Sequence, residues 1–322
     1  MRWLASRLGQ AAVTALLAIT LTFFIMRAAP GDPLARLGDE RPLTPAEAAV
    51  LRARYGLDQP LARQFASFLS GAVRGDFGTS IQYGRPVTAL LRERLPASLL
   101  LGGTVLLLTF AFGSWLGALQ ALGAGRPADR TIGVLSLAAY ATPSFWLGLV
   151  LAWLVGVEWR LLPATGMHDM FLPPDAPFGT RALDVLRHLV LPALTLALVN
   201  IGATMRHQRS AMLLALREPF VLGARARGLG EWRVRWRHAF RNALFPVVTL
   251  FGLWLPLVVA GSVFVEQVFG WPGLGALAAD AVGARDYPLL MGITVLVSLI
   301  VVFGTLTADA AYALLDPRVR RP

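Results

Sequence analysis

Cysteine is absent from the 322-residue chain, so disulfides and thiolate metal centres are excluded. Lysine is absent as well, and all 30 basic residues are arginine, a bias that reflects genome composition more than mechanism. Without lysine there is no G-x-x-x-x-G-K-[ST] phosphate loop, and the chain cannot carry an ATP site of that kind. Histidine is scarce: His168, His188, His207 and His238 never fall at a spacing that pairs them on one helix as metal ligands. That argues against zinc or haem. No serine lies in a G-x-S-x-G turn, which removes the usual signature of a hydrolase nucleophile. Charge is thin at 15% of residues, against 56% apolar. A soluble domain carries far more charge than this, so the chain reads as a polytopic membrane protein.

What the sequence does have is long apolar runs. A helix needs about 20 apolar residues to cross the hydrocarbon core. Six stretches qualify: Leu8–Met26, Ser98–Leu122, Ile132–Gly156, Leu189–Met205, Pro246–Phe264 and Leu289–Leu314. A charge at mid-membrane costs roughly 2.5 to 3.5 kcal/mol on insertion scales, so their near-total lack of charge is a physical constraint. The expected fold is therefore all-α with six transmembrane helices. It divides into an anchor helix at 1–27, an external segment at 28–97, and a five-helix core at 98–322 with an internal loop at 206–243. The first span reads as an uncleaved signal anchor.

The net charge of +11 would suggest nucleic acid in a soluble protein, but here the arginines flank apolar spans and act as topology signals. Arg2 and Arg7 set the amino terminus in the cytoplasm, and six crossings return Arg318, Arg320 and Arg321 to the same side. Within the external segment, Thr44 with Pro45 and Glu47 forms a capping-box pattern, and Gly75-Asp76-Phe77-Gly78 predicts a turn. Pro143, Pro192, Pro256 and Gly261 predict kinks within spans. Gly113 and Gly117 form a small-xxx-small pair suited to close helix approach.

The most distinctive stretch is the internal loop from Arg206 to Arg241. It holds nine arginines against Glu218 and Glu231 alone among the acidic residues. Its first half predicts a short helix starting at Glu218 and Pro219, with Phe220, Ala224 and Gly228 on one narrow face and Gly228-Leu229-Gly230 ending it. Its second half predicts an amphipathic helix from Glu231. There Trp232, Trp236, Ala239, Phe240 and Ala243 form one stripe, opposite Arg233, Arg237 and Arg241. The second helix is suited to anchoring at an anionic membrane surface. The first has no core of its own to bury and is shaped for docking into another protein's groove.

GARARGLGEWRVRWRHAFRNALFPVVT resembles the "EAA" loop of bacterial ABC-transporter permeases, in the longer-spaced form of the dipeptide, oligopeptide and nickel importer group. The resemblance runs along nearly the whole chain through PGDP (30–33), YGLDQPL (55–61), GDFGTS (75–80), TPSFWLGL (142–149), LLPATG (161–166), HLVLPALTLAL (188–198), VFGWPGLG (268–275), RDYP (285–288) and LDPRVR (315–320). The order is similar to that of the group's first permease type, with a short amino terminus and a large external loop. One departure is that Leu222, Gly223 and Ala224 stand before Gly228, with no acidic residue where the general loop opens with Glu-Ala-Ala.

The resemblance implies a type I ABC importer permease fold in a bacterial inner membrane, and a transport subunit rather than an enzyme. It implies a second homologous permease, two ATPase subunits that bind the ATP, and an extracytoplasmic solute-binding protein as partners. It also implies that Glu218, Phe220, Val221, Ala224, Arg225, Arg227, Gly228, Leu229 and Gly230 couple the chain to the ATPases. No cofactor is expected in the chain itself, and no nucleic-acid partner. Asn200, Glu266 and Gln267 are the polar candidates for a translocation path. An ion-coupled secondary transporter is the alternative, but it would want ionisable groups near mid-membrane, whereas Glu266 and Asp309 fall toward span ends. A bulky residue at Gly228 or Ala224 is expected to abolish uptake and uncouple ATP hydrolysis while leaving insertion intact. Uptake by reconstituted Gly228→Trp protein measures this, and wild-type uptake would remove the docking role.

Overall fold

A computed structural model describes residues 2–28, 31–34, 44–173, 175–254 and 263–315, and these are helical with only an isolated bridge between Thr79 and Pro86. The expected all-α architecture is what they form. Helix α1 (Arg2–Ala28) leads to α2 (Pro45–Arg54) and α3 (Leu61–Val73), after which α4 (Val87–Leu122) begins the core. Next come α5 (Pro127–Ala141) and α6 (Ser144–Leu151), the latter continued by a π-helical segment, Ala152–Glu158. Helix α7 (Phe178–Ala215) precedes the loop helix α8 (Pro219–Ala226), a second π-helical segment (Arg233–Phe240) and a single turn (Arg241–Ala243). The chain then forms α9 (Phe245–Trp254), α10 (Val263–Val268), α11 (Leu274–Ala284) and α12 (Tyr287–Leu315).

Among the described residues α4, α7 and α12 are long and apolar enough to cross a membrane, and α5 with α6 adds a fourth only if that bent pair counts as one span. The apolar part of α1, Ala12–Ala28, is shorter. The expected fifth span lies partly outside the described residues, as do Pro256, Gly261 and the terminal arginines. Two expected spans prove longer than their apolar runs. Helix α4 starts at Val87 and takes Arg92, Glu93, Arg94 and Pro96 into its first turns. Helix α7 has 38 residues, about 57 Å at 1.5 Å per residue, nearly twice a hydrocarbon core of about 30 Å.

The proline expectations divide. Pro143 does more than kink its span: α5 and α6 meet at 102°. Proline disfavours the helical region for its predecessor, and Thr142 accordingly sits at ψ 129°, so the chain leaves α5 extended before α6 restarts. Pro192, by contrast, lies buried inside an unbroken α7. Neighbouring helices in a membrane bundle can accommodate the missing hydrogen bond.

Helices α4 and α7 pack along each other through the glycine pair. A Cβ at Gly113 would lie 2.8 Å from Cβ of Thr204, and one at Gly117 would run into the carbonyl oxygen of Met205. Gly202 repeats the device on the other side of α7, where a Cβ would come 2.9 Å from the Ser136 carbonyl of α5. A bidentate pair then ties α5 to α7: Arg209 donates from Nε (3.0 Å) and Nη2 (2.9 Å) to the Asp129 carboxylate.

The segment between α1 and α4 is folded as its motifs suggest. Thr44 caps α2 with the full reciprocal box, Glu47 N donating to Thr44 Oγ1 (3.3 Å) and Thr44 N donating to Glu47 Oε2 (2.8 Å). Asp76 accepts from Gly78 N at 2.9 Å and closes the Gly75–Gly78 turn. The fully buried Asp286 carboxylate accepts from Ser80 Oγ, from Gln82 N (3.0 Å) and, at the start of α12, from Leu289 N (3.1 Å). Two motifs far apart in sequence, GDFGTS and RDYP, thus share one ionic hydrogen-bond cluster. Asp286→Ala would leave those donors without their acceptor, at about 1 to 3 kcal/mol for each buried group stranded. We expect a lower thermal unfolding midpoint in detergent, with a smaller drop for Asp286→Asn, and an unchanged midpoint in the alanine variant would contradict the assignment.

Candidate functional site

The loop that follows α7 is a small folded unit with one packed face and one open face. Pro219 occupies the first helical position of α8, where its missing N–H is no loss, and Glu218 precedes it in extended conformation at ψ 146°. The helix ends as its glycine predicts. Gly228 takes φ +76°, Gly228 N donates to Arg225 O (2.9 Å) and Leu229 N donates to Ala224 O (3.3 Å), the paired bonds of a Schellman ending. Leu229 then packs back toward the loop's core.

That core is built from small residues. Val221 and Ala224 are fully buried against Ala118 and Ala121 of α4, Met212 and Ala215 of α7, and Val234, Ala239 and Ala243 beyond the loop's turn. Burying a valine side chain stabilises by roughly 1.5 to 3 kcal/mol, so Val221 is a main anchor of α8. The expected face of Phe220, Ala224 and Gly228 is therefore divided: Phe220 and Gly228 are exposed, while the Ala224 methyl points inward. A bulky residue at Ala224 would act first on the loop's own packing. The open face of α8 consists of Phe220, Leu222, Gly223, Ala226 and Arg227. Of these, Leu222, Gly223 and Ala226 were not among the expected coupling residues; their outward position follows from the burial of Val221 and Ala224 on the same short helix.

The second half of the loop winds as a π-helix over Arg233–Phe240. Its wider turn brings residues five apart into line, which is why Val234 and Ala239 are buried together although a regular α-helix would separate them. The aromatic stripe survives on the side: Trp232, Trp236 and Phe240 touch in sequence as tilted pairs at centroid distances of 5.5 and 5.2 Å. Trp232 stays 75% exposed.

Glu231 joins the two halves. It accepts from Arg225 Nε (2.8 Å) at Oε1 and from Arg235 Nε (3.0 Å) at Oε2. The Arg225 hydrogen bond above all holds its carboxyl below the usual glutamate range, with Arg235 adding to the effect. Arg225 is thus engaged within the chain, whereas Arg227 has no ion pair among the described residues.

The polar candidates for a pathway are not brought together. Asn200 donates to the Leu196 carbonyl of its own helix at 2.7 Å. Gln267 is exposed. Glu266 is fully buried and accepts from Ala276 N (2.7 Å), so its carboxylate caps the start of α11. Gly273 and Gly275 make that possible, because a Cβ at Gly273 would occupy the space of the carboxylate and one at Gly275 would lie 3.0 Å from Oε2. The same turn is fastened to its neighbours. Trp271 Nε1 donates to Ala97 O (2.9 Å), Leu274 N to Ser98 Oγ (2.7 Å) and Gly166 N to Phe269 O (2.7 Å). VFGWPGLG, LLPATG and the start of the α4 apolar run therefore converge at one end of the bundle, and the α8 loop packs at the other.

Residues 109–321 match the family described as the inner membrane component of binding-protein-dependent transport systems, and residues 1–102 match its amino-terminal domain. The chain belongs to this permease family. It is 40% identical over 306 residues to the oligopeptide transport system permease protein AppB of Bacillus subtilis, covering 94% of this chain and 95% of that protein. It is 40% identical over 314 residues to the probable D,D-dipeptide transport system permease protein DdpB of Escherichia coli K12, covering 94% and 92%. To the dipeptide transport system permease protein DppB of the same organism it is 35% identical over 335 residues, covering 99% of each. The permease is thus a multi-pass inner-membrane protein.

Glu231→Gln is expected to loosen the permease's loop without unfolding the helices, read as faster amide exchange across residues 225–235. Because the folded carboxyl titrates below the ordinary value of about 4.3, the pair's contribution is present above that pH and lost as pH falls through the lower, folded value. Equal exchange in variant and wild type would show that Glu231 does not hold the two halves together.

Proposed function

We propose that the chain is one of two membrane-spanning subunits of an ATP-driven importer of peptides, and that the open face of α8 receives an ATPase subunit. The observation that carries the coupling role is the two-faced character of α8. Val221 and Ala224 seat it on the ends of α4 and α7, while a small-residue surface is left outward. A helix seated on two spanning helices transmits a push to both, and an outward face of Gly223, Ala226 and Leu222 admits close approach by a groove. The family membership and the peptide-transport names of the relatives support the substrate class.

In this reading a second homologous permease completes the translocation path, two ATPase subunits bind the ATP, and an extracytoplasmic binding protein delivers the peptide. Six crossings with both termini in the cytoplasm put α8 inside and the α11 turn outside. Glu218, Phe220, Arg227, Gly228 and Gly230 would border the ATPase contact, with Arg225, Val221, Ala224 and Leu229 holding the helix that makes it. Asn200 and Gln267 remain candidates for the path, and Glu266 would act there by shaping the α11 turn.

Gly223 provides the discriminating experiment. A Cβ at the exposed Gly223 would meet nothing within 4 Å and, unlike one at Gly228, requires no left-handed backbone. Gly223→Trp is therefore expected to preserve the unfolding midpoint and membrane insertion. In proteoliposomes with the partner subunits, peptide uptake and its stimulation of ATP hydrolysis should fall roughly tenfold or more. Normal coupled uptake in this variant would refute docking at α8.

A further inference from the structure

A cavity of about 580 Å³ lies away from both the α8 loop and the α11 turn, where the first and last helices meet the external segment. Its volume falls in the range of small-ligand sites, about 300 to 1,000 Å³. One wall comes from the ends of two long helices, with Phe23 and Met26 of α1 and Met291 of α12. The opposite wall comes from α2, α3 and the turn after it, and is mostly polar, with Leu57, Phe68 and Phe77 among its side chains. Three arginines line the cavity, Arg27, Arg54 and Arg74, against the single carboxylate of Asp76.

The arginines are differently held. Arg27 lies between the walls with its guanidinium over the Tyr287 ring at 4.5 Å and the Phe23 ring at 5.5 Å. These contacts fix its position, and among the described residues no carboxylate pairs with it. Arg54 and Arg74 are exposed and have no ion pair among the described residues. Asp76, whose carboxylate accepts from Gly78 N in its own turn, offsets only part of this charge and leaves the lining with an excess of arginine. Gln64, also on the lining, donates to the Gln59 carbonyl at 2.7 Å, while its Oε1 is buried without a donor. The site is thus cationic, offers one unused acceptor, and has an apolar wall on its helix side.

We propose that this cavity binds the headgroup of an anionic phospholipid, with the phosphate among Arg27, Arg54 and Arg74, a headgroup hydroxyl donating to Gln64 Oε1, and the acyl chains against α1. Aromatic and arginine side chains at the ends of spanning helices mark the headgroup level of a bilayer, and Phe23, Arg27 and Tyr287 form such a group here. The outward side of α1 just before the cavity is apolar through Leu17, Leu21, Phe24 and Ile25, which gives acyl chains a surface continuous with the site. Free phosphate would satisfy the arginines and leave the apolar wall unused.

The test uses the full-length protein in detergent, which has no sides, so its outcome does not depend on the orientation or the docking role proposed above. Delipidated protein is mixed with equal amounts of phosphatidylglycerol and phosphatidylethanolamine of matched chains, and bound lipid is counted by native mass spectrometry. Phosphatidylglycerol should be retained roughly fivefold or more above phosphatidylethanolamine. The double variant Arg54→Gln/Arg74→Gln, both positions being exposed, should lose that preference at an unchanged unfolding midpoint. Equal retention of the two lipids by wild type, or an undiminished preference in the double variant, would overturn the proposal. Displacement of the lipid by inorganic phosphate would reassign the cavity to a soluble anion, and displacement by a dipeptide would reassign it to cargo; either result overturns the lipid assignment.

Discussion

The contact between α4 and α7 at Gly113 and Gly117 is the constraint on which the remaining geometry depends. Both helices are long, and each carries a part of both ends of the molecule. Helix α4 supplies Ala97 and Ser98 to the α11 turn and Ala118 and Ala121 to the base of α8. Helix α7 supplies Leu189 and Ala193 at the first end and Met212 and Ala215 at the second. With no lipid-excluding hydrophobic force to hold spanning helices together, close backbone packing of small residues takes that role. Any side chain larger than hydrogen at either glycine would part the pair and separate the floor on which α8 rests.

The loop is therefore less an appendage than the exposed end of the pair. Its hydrophobic cluster is made almost wholly of alanine and valine, so α8 sits close to its support and has little room to tilt independently. Asp129 and Arg209 extend the same rigid group to α5. The sharp corner after α5, set by Thr142 and Pro143, then lets α6 leave in a different direction without disturbing it.

Much of this was legible in the sequence, and the parts that were not have definite physical reasons. The capping box at Thr44, the turn at Gly75–Gly78, the glycine ending of α8 and the packing role of Gly113 and Gly117 depend on local backbone chemistry, which short motifs encode. Helical periodicity failed where the helix itself changed pitch. A spacing of 3.6 residues cannot anticipate the burial of Val234 with Ala239, because the π-helical turn is a tertiary accommodation. The inward turn of Ala224 was hidden because alanine is equally at home in a groove or a core. The pairing of Arg225 with Glu231 was missed for a related reason: the glycine turn between them sets their distance, and charge counting treats every loop arginine alike. The motifs VFGWPGLG and RDYP could be recognised as phrases, but not what they touch, since their partners lie far away in the chain.

The Asp286 cluster has a consequence for how such a chain is made. Ser80 and Asp286 are 206 residues apart, and α1 packs on α12, the last helix of the described chain. A segment that leaves the ribosome early therefore waits for the final helix before its buried hydrogen bonds can form. During synthesis α2 and α3 have their own caps and short turns and the packing of Phe65 on Phe23 and Phe24 of α1 to order them, and the loop-closure entropy of the contacts to α12 is recovered at the end. Truncation from the carboxyl end should thus be felt at the opposite terminus, and the layer of α2 and α3 should be the last part of the molecule to become resistant to protease as the nascent chain lengthens.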